Sequence, residues 1–187
     1  GGWVSDAGGT NPFVYGSNGT LIFNAPYTAN NGNYWPTSNG PFNVTVNSGS
    51  ALNLGFDRTV GGTFQTASGI TLSGATLTLN GTCQINAGGF FNNSPIYGNN
   101  SLLRYNTGST YGRGLEWTVG SGTIGTTPGY PNDVQASNNT VINVPNTGNG
   151  GLDPFITAMG MARDLTIDAG SALYMDFGGN NNKSGSL

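Results

Sequence analysis

The sequence holds no histidine and a single cysteine, Cys83, in 187 residues. The first absence excludes triads and zinc sites built on imidazole; the second excludes an internal disulfide or a thiolate cluster. Charge is scarce too: five Lys and Arg stand against eight Asp and Glu, 7% of the chain, for a net charge of −3. Nucleic acids and anionic membranes are recruited by basic patches, and the scattered Arg58, Arg104, Arg113, Arg163 and Lys183 form none. No apolar run approaches the length of a membrane-spanning helix, so no membrane insertion is expected. Strong helix formers are also few.

What is abundant points to strands. The 33 glycines, with many Asn and Thr, favour turns and extended chain over helix. Hydrophobic residues make up only 35%, but they fall in short alternating runs, and 11% of the chain is aromatic. A disordered chain would carry more net charge and fewer rings. An all-β fold is expected.

The chain also repeats itself. Gly62-Thr-Phe-Gln-Thr-Ala-Ser-Gly69 reads directly above Gly81-Thr-Cys-Gln-Ile-Asn-Ala-Gly88, and Asn43-Val-Thr-Val-Asn-Ser-Gly49 ends one period earlier. Gly49, Gly69 and Gly88 thus punctuate the chain every nineteen or twenty residues. Self-similarity of this period predicts a solenoid whose coils stack on one another. The expected fold is a parallel β-helix, right-handed, of about nine coils, with irregular loop insertions. The alternative is a β-sandwich, because strand spacing alone does not separate the two.

One solenoid segment is expected over residues 1–187, in four stretches. Residues 1–41 are rich in aromatics, among them Trp3, Phe13, Tyr15, Phe23, Tyr27, Tyr34 and Trp35. A plug on the open end of the stack is the preferred reading for these rings, and a stacking platform for sugars is the other. Residues 42–88 hold the regular coils, with Leu52, Leu72, Leu77, Leu79 and Ile85 facing inward. Residues 89–131 are rich in insertions; Ser101–Tyr105 and Leu115–Val119 read as strands, and Gly120–Pro131 as a projecting loop. In residues 132–187 the coils resume. Leu165-Thr-Ile-Asp-Ala-Gly170-Ser-Ala-Leu173 repeats Val44-Thr-Val-Asn-Ser-Gly49-Ser-Ala-Leu52, and Phe155–Ala162 is the one helix-like patch. The chain opens on Gly1-Gly-Trp3 and closes on an uncapped polar tail, which fits a piece of a longer solenoid.

Little in the sequence assembles into reactive chemistry. Cys83 falls opposite Phe64 in the repeat and reads as a small buried hydrophobe. No two of the eight acidic residues fall at equivalent positions one coil apart within the recognisable repeat, and Asp57–Arg58 and Arg163–Asp164 read as local ion pairs. Asn-rich loops offer oxygen ligands for structural calcium, but no Asp-x-Asp-x-Asp pattern is present, and solvated corner residues are the favoured reading. No cofactor is therefore expected. Outward threonines such as Thr45, Thr71, Thr78 and Thr166 are too irregularly spaced to suggest an ice-binding array. For contact with a glycan or a cell-surface receptor, the candidates are Tyr111, Arg113, Trp117 and Tyr130, which combine stacking faces with a cation on the irregular insertion. An aromatic cover on the solenoid flank is the preferred reading of the same four.

Three series look familiar together: Trp35-Pro-Thr-Ser-Asn-Gly-Pro-Phe-Asn-Val-Thr-Val46, Leu77-Thr-Leu-Asn-Gly-Thr-Cys-Gln-Ile-Asn86, and Ser101-Leu-Leu-Arg-Tyr-Asn-Thr-Gly108 with Tyr111-Gly-Arg-Gly-Leu-Glu-Trp117. They resemble the repeat regions of very large secreted surface proteins of Bacteroidota, exported by the type IX secretion system through a C-terminal sorting domain. Such regions are regarded as adhesin-like β-solenoid stalks. The resemblance implies an extracellular, cell-surface, non-catalytic structural or adhesive segment, with neighbouring coils or copies of the same protein as partners. A carbohydrate-binding module of a secreted polysaccharide-degrading protein is the alternative.

Overall fold

The computed structural model describes residues 13–29, 34–142 and 159–174. Seventeen short strands occur there, and no helix. The chain lays them down in successive passes. The first pass gives β1 (Thr20–Phe23) and β2 (Tyr27–Ala29). The next gives β3 (Asn43–Val46), β4 (Leu52–Leu54) and β5 (Arg58–Val60). The third repeats the pattern with β6 (Thr63–Thr66), β7 (Gly69–Leu72) and β8 (Leu77–Leu79). The fourth does so with β9 (Thr82–Asn86), β10 (Phe90–Phe91) and β11 (Ile96–Tyr97). Three two-strand passes follow: β12 (Leu102–Asn106) with β13 (Thr110–Tyr111), β14 (Asp133–Ala136) with β15 (Val141–Ile142), and β16 (Leu165–Ile167) with β17 (Ala172–Leu173).

Each pass contributes one strand to a seven-stranded sheet ordered β1-β3-β6-β9-β12-β14-β16. Second strands form β10-β7-β4-β2 and, later, β13-β15-β17; third strands form β11-β8-β5. Every pairing among the described residues is parallel. The antiparallel pairing that a sandwich requires is absent from them. Among the described residues there are seven passes, where the period predicts about nine over the whole chain. From Leu103 to Val134 and from Val134 to Leu165 the chain spends 31 residues per rung, because more residues separate these strands than in the earlier passes.

Alternation explains the register. Val44, Phe64, Cys83, Leu103 and Val134 share one rung-to-rung rank and are wholly enclosed. One step outward in the pleat, Thr45, Gln65, Gln84, Arg104, Gln135 and Thr166 form a polar rank on the other face. Gln65 Nε2 donates to Thr45 Oγ1 at 3.0 Å, and Arg104 Nε donates to Gln135 Oε1 at 2.8 Å. Ile22 opens that face, and of the polar residues after it only Thr45 and Thr166 are threonine, so it makes no threonine array. Burying each large inward side chain stabilises by roughly 1.5–3 kcal/mol, which is realised only when the neighbouring rung covers it. Leu52, Leu72, Leu77, Leu79 and Ile85 are buried as the alternation requires. Leu173, expected with them, is only partly covered, at the last described rung.

The corners are set by turn chemistry. Ser50 N donates to Asn47 O, Gly89 N to Asn86 O and Ser171 N to Asp168 O, with Gly49, Gly88 and Gly170 at φ of +74°, +83° and +81°. Glycine meets that left-handed conformation without a Cβ penalty. Gly69, expected at the same corner, departs from it. The β6–β7 connection is two residues shorter in the strand register and is closed by Thr66 Oγ1, which donates to Ser68 O at 2.7 Å. Gly69 instead opens β7, where the ring of Phe90 rests so close that a Cβ would meet it at 2.7 Å.

Two further expectations are corrected. Leu115–Val119 is a turn rather than a strand, and Gly120–Pro131 does not project freely. Gly125 N donates to Tyr97 O and Gly129 N to Pro95 O, both at 2.8 Å, tying that loop down beside β11. At the other end, Phe23, Tyr34 and Trp35 are buried together, with the Phe23 and Trp35 rings 6.2 Å apart, while Phe13 and Tyr27 of the same aromatic set are exposed. Trp3, Asn143, Phe155–Thr157, Ala158 and Met175 lie outside the described residues, so most of the helix-like patch does as well. No described helix is long and apolar enough to cross a membrane.

Candidate functional site

The residues singled out for contact converge, but inside the protein. Tyr111 ends β13 and points inward at 2% exposure; Arg113 and Trp117 are wholly enclosed, and Tyr130 is half-buried. A sugar ring has no access to the faces of Tyr111 and Trp117 as they stand here. The Trp117 indole donates to Gly160 O at 2.8 Å, and Tyr130 Oη donates to Met161 O at 3.1 Å, so each ring fastens one insertion to the next.

At the centre of this cluster sits Glu116, which sequence reasoning passed over. Its Oε1 accepts from Gly114 N at 2.8 Å and from the hydroxyls of Tyr105 and Tyr111, each at 3.2 Å. Its Oε2 is buried without a hydrogen-bond partner. Tyr97 Oη donates to the Glu116 carbonyl at 2.9 Å, and Arg113 Nη1 donates to the Trp117 carbonyl at 2.5 Å. The Arg113 guanidinium also lies 5.9 Å from the Trp117 ring centroid. Turn residues 114–117 therefore carry their polar groups into the core and find partners there.

Burial dominates the electrostatics. Loss of water pushes the Glu116 carboxyl above its ordinary range, and the four hydrogen bonds to the residue only partly oppose this. The same desolvation lowers Arg113 and raises Tyr97, Tyr105 and Tyr111 well above a free phenol. Cys83, enclosed beneath β6 and β12, is likewise raised by burial and stays a neutral thiol. A sealed carboxyl with tyrosine donors is an anchor for the insertion.

Acidic residues elsewhere give one surprise. Asp133 and Asp164 precede the paired residues Val134 and Leu165, so outside the nineteen-to-twenty-residue repeat they do occupy equivalent positions on adjacent rungs. The thirty-one-residue spacing hid them from a period of nineteen or twenty. Asp133 Oδ1 accepts from Asp164 N at 3.1 Å, and Arg163 bridges both carboxylates, at 3.4 Å to Asp133 and 3.1 Å to Asp164. The expected Arg163–Asp164 pair is present on open surface. Asp57 and Arg58 are instead held by backbone: Arg58 Nη1 donates to Asp57 O at 2.7 Å, and Asp57 Oδ1 accepts from Thr76 N at 2.7 Å. Among the described residues, no group of three or more His, Cys, Asp and Glu is placed to hold a metal ion. Compared with protein-family models, curated proteins and solved structures, the chain matches none of them.

Proposed function

We propose that the chain is a stretch of right-handed parallel β-helix that serves as a non-catalytic structural or adhesive segment of a large secreted cell-surface protein. The observation that carries this reading is the seven-rung parallel ladder with its enclosed rank from Val44 to Val134. Three of the passes visit three sheets and the other four visit two, and from one pass to the next the chain returns to the seven-stranded sheet, which supports a coiled path. A parallel crossover of this kind is right-handed in nearly all known cases. Each added rung lengthens the stack while touching only its neighbours, a property suited to building reach. The resemblance of the repeats to surface-protein stalks of Bacteroidota points to the same role, with export by type IX secretion and neighbouring coils or copies as partners. The ionisable side chains support it as well, since Glu116 in the core is held by hydrogen bonds and Arg163 joins the Asp133–Asp164 carboxylate pair.

Protease shaving of intact producing cells tests the cellular part. Peptides from the loops around Gly120 and Asn138 should be released into the medium before cytoplasmic markers appear. Release only after lysis would contradict a surface location.

A further inference from the structure

A second place on the molecule has the chemistry that the buried cluster lacks. Between the loop at residues 36–42 and strand β5 lies an open groove of about 440 Å³. Its side chains include Tyr15, Ser17, Thr37, Asn39, Phe42 and Thr59, and none of the lining residues is charged. Phe42 is 41% exposed although it adjoins the buried Val44 rank. Both edges of its ring lie over the Gly61–Gly62 dipeptide: a Cβ on Gly61 would sit 2.9 Å from one edge, and on Gly62 2.5 Å from the other. One face of the ring is thus backed by glycine while the groove side stays open.

The walls are already in place. Tyr15 N donates to Asn39 O at 3.0 Å, and Tyr15 Oη donates to Tyr34 O at 2.5 Å. Gly62 N donates to Phe42 O at 2.8 Å, and Asn39 holds a φ of +55° that fixes the loop. Ser17, Thr37, Asn39 and Thr59 are exposed, and their side chains make no hydrogen bond among the described residues. The groove continues into a further space of about 300 Å³ through the shared Thr37 and Thr59, past Thr76 and Thr78. Asp57 and Arg58 border that extension, but each already bonds backbone, and Arg58 lies 5.6 Å from the Phe56 ring centroid.

An apolar ring with one open face, surrounded by unengaged hydroxyl and amide groups and no charge, matches one ligand class well. A pyranose presents a patch of C–H groups on one face and hydroxyls around its edge. Stacking on Phe42 would take the apolar patch, and Thr37, Asn39 and Thr59 would meet the hydroxyls. An acidic sugar or a phosphate would find no counter-charge in the groove itself, and in the extension the Arg58 cation stands beside the Asp57 carboxylate, which offsets it. We propose that this groove binds a neutral oligosaccharide of pyranose units, one ring on Phe42 and the next toward Thr76 and Thr78. The inference rests on and deepens the adhesive half of the proposed function; a rod without sugar binding would leave the structural half standing, and the shaving experiment tests the surface location separately.

The test is titration of the 187-residue chain with neutral hexasaccharides of glucose, mannose and N-acetylglucosamine, and with a hexagalacturonate, followed by calorimetry and amide NMR. At least one neutral hexasaccharide should bind, shifting the amides of Tyr15, Phe42 and Gly61. Phe42→Ala should weaken that binding by about tenfold, as loss of a central aromatic contact does. Thr59→Val, which keeps the shape of an exposed strand residue, should weaken it about threefold and leave Tm unchanged. Should Phe42→Ala fail to fold, Thr59→Val and the NMR map decide. Absence of neutral-sugar binding, shifts mapping elsewhere, tighter binding of hexagalacturonate, or affinity unmoved by either substitution would each overturn the proposal.

Discussion

The hydroxyl of Tyr105 donates to Glu116 Oε1 across 3.2 Å inside the core, joining strand β12 to a turn eleven residues further on. That bond, with its counterpart from Tyr111, holds a carboxyl where water cannot reach it. The pair explains how a chain poor in ionisable groups uses one of them: as an acceptor at the centre of an insertion.

A pH dependence follows from its sign. The folded protein holds the Glu116 proton more tightly than the unfolded chain, whose carboxyl titrates near 4.5. Its contribution is most favourable below that value and is lost as pH rises through the raised folded pKa. Thermal melts between pH 4.5 and 8 should therefore show a fall in Tm that Glu116→Gln flattens. Equal slopes for both proteins would show that Glu116 does not titrate differently on folding. Glu116→Ala should cost about 1–3 kcal/mol at every pH, because three donors then lose their acceptor.

Glycines divide by what surrounds them. A Cβ on Gly81 would run into the backbone of the rung beneath, with Gly61 O only 2.7 Å away. Gly16 has open space in the same direction and no left-handed φ. Gly81→Ala should destabilise by about 1–3 kcal/mol in urea unfolding, and Gly16→Ala by less than about 0.5 kcal/mol. Equal effects at the two positions would contradict the stacking of rungs at Gly81.

Cys83 should resist thiol reagents in the native state. It is fully enclosed and its thiol is pushed upward by burial. Labelling kinetics should track unfolding, accelerating with denaturant in step with the loss of β-structure. Rapid reaction of the native protein would place Cys83 at the surface.

Much of this was legible in the sequence because a strand writes its orientation with period two. Val44, Val46 and the Phe64–Cys83 pairing could be read directly, and the ladder places them as expected. The same rule failed at Leu115–Val119, where alternation of Leu, Glu, Trp, Thr and Val looks like a strand. There Glu116 finds its acceptor role in the core, and a turn follows. For Tyr111, Arg113 and Trp117 the sequence left two readings, contact site or aromatic cover, because only the fold shows that the Trp117 carbonyl inside the protein receives the Arg113 donor. Rung count and the Asp133–Asp164 neighbourhood were hidden by insertions, which shift sequence spacing without shifting spatial spacing. The Phe42 groove joins residues 15–17, 36–42 and 59–61, and no single stretch announces it.

The stacked ladder itself is tested most directly by spin-label distances along the outer polar rank. Cysteine pairs placing one label at Thr166 and the other at Ile22, Thr45 or Gln65 span six, five and four rungs. At the spacing of hydrogen-bonded strands, the separations should be about 29, 24 and 19 Å, falling by one strand spacing per rung. Enclosed Cys83 takes no label. A steady decrement across the three pairs is the expected result; distances that do not fall rung by rung would contradict a parallel stack.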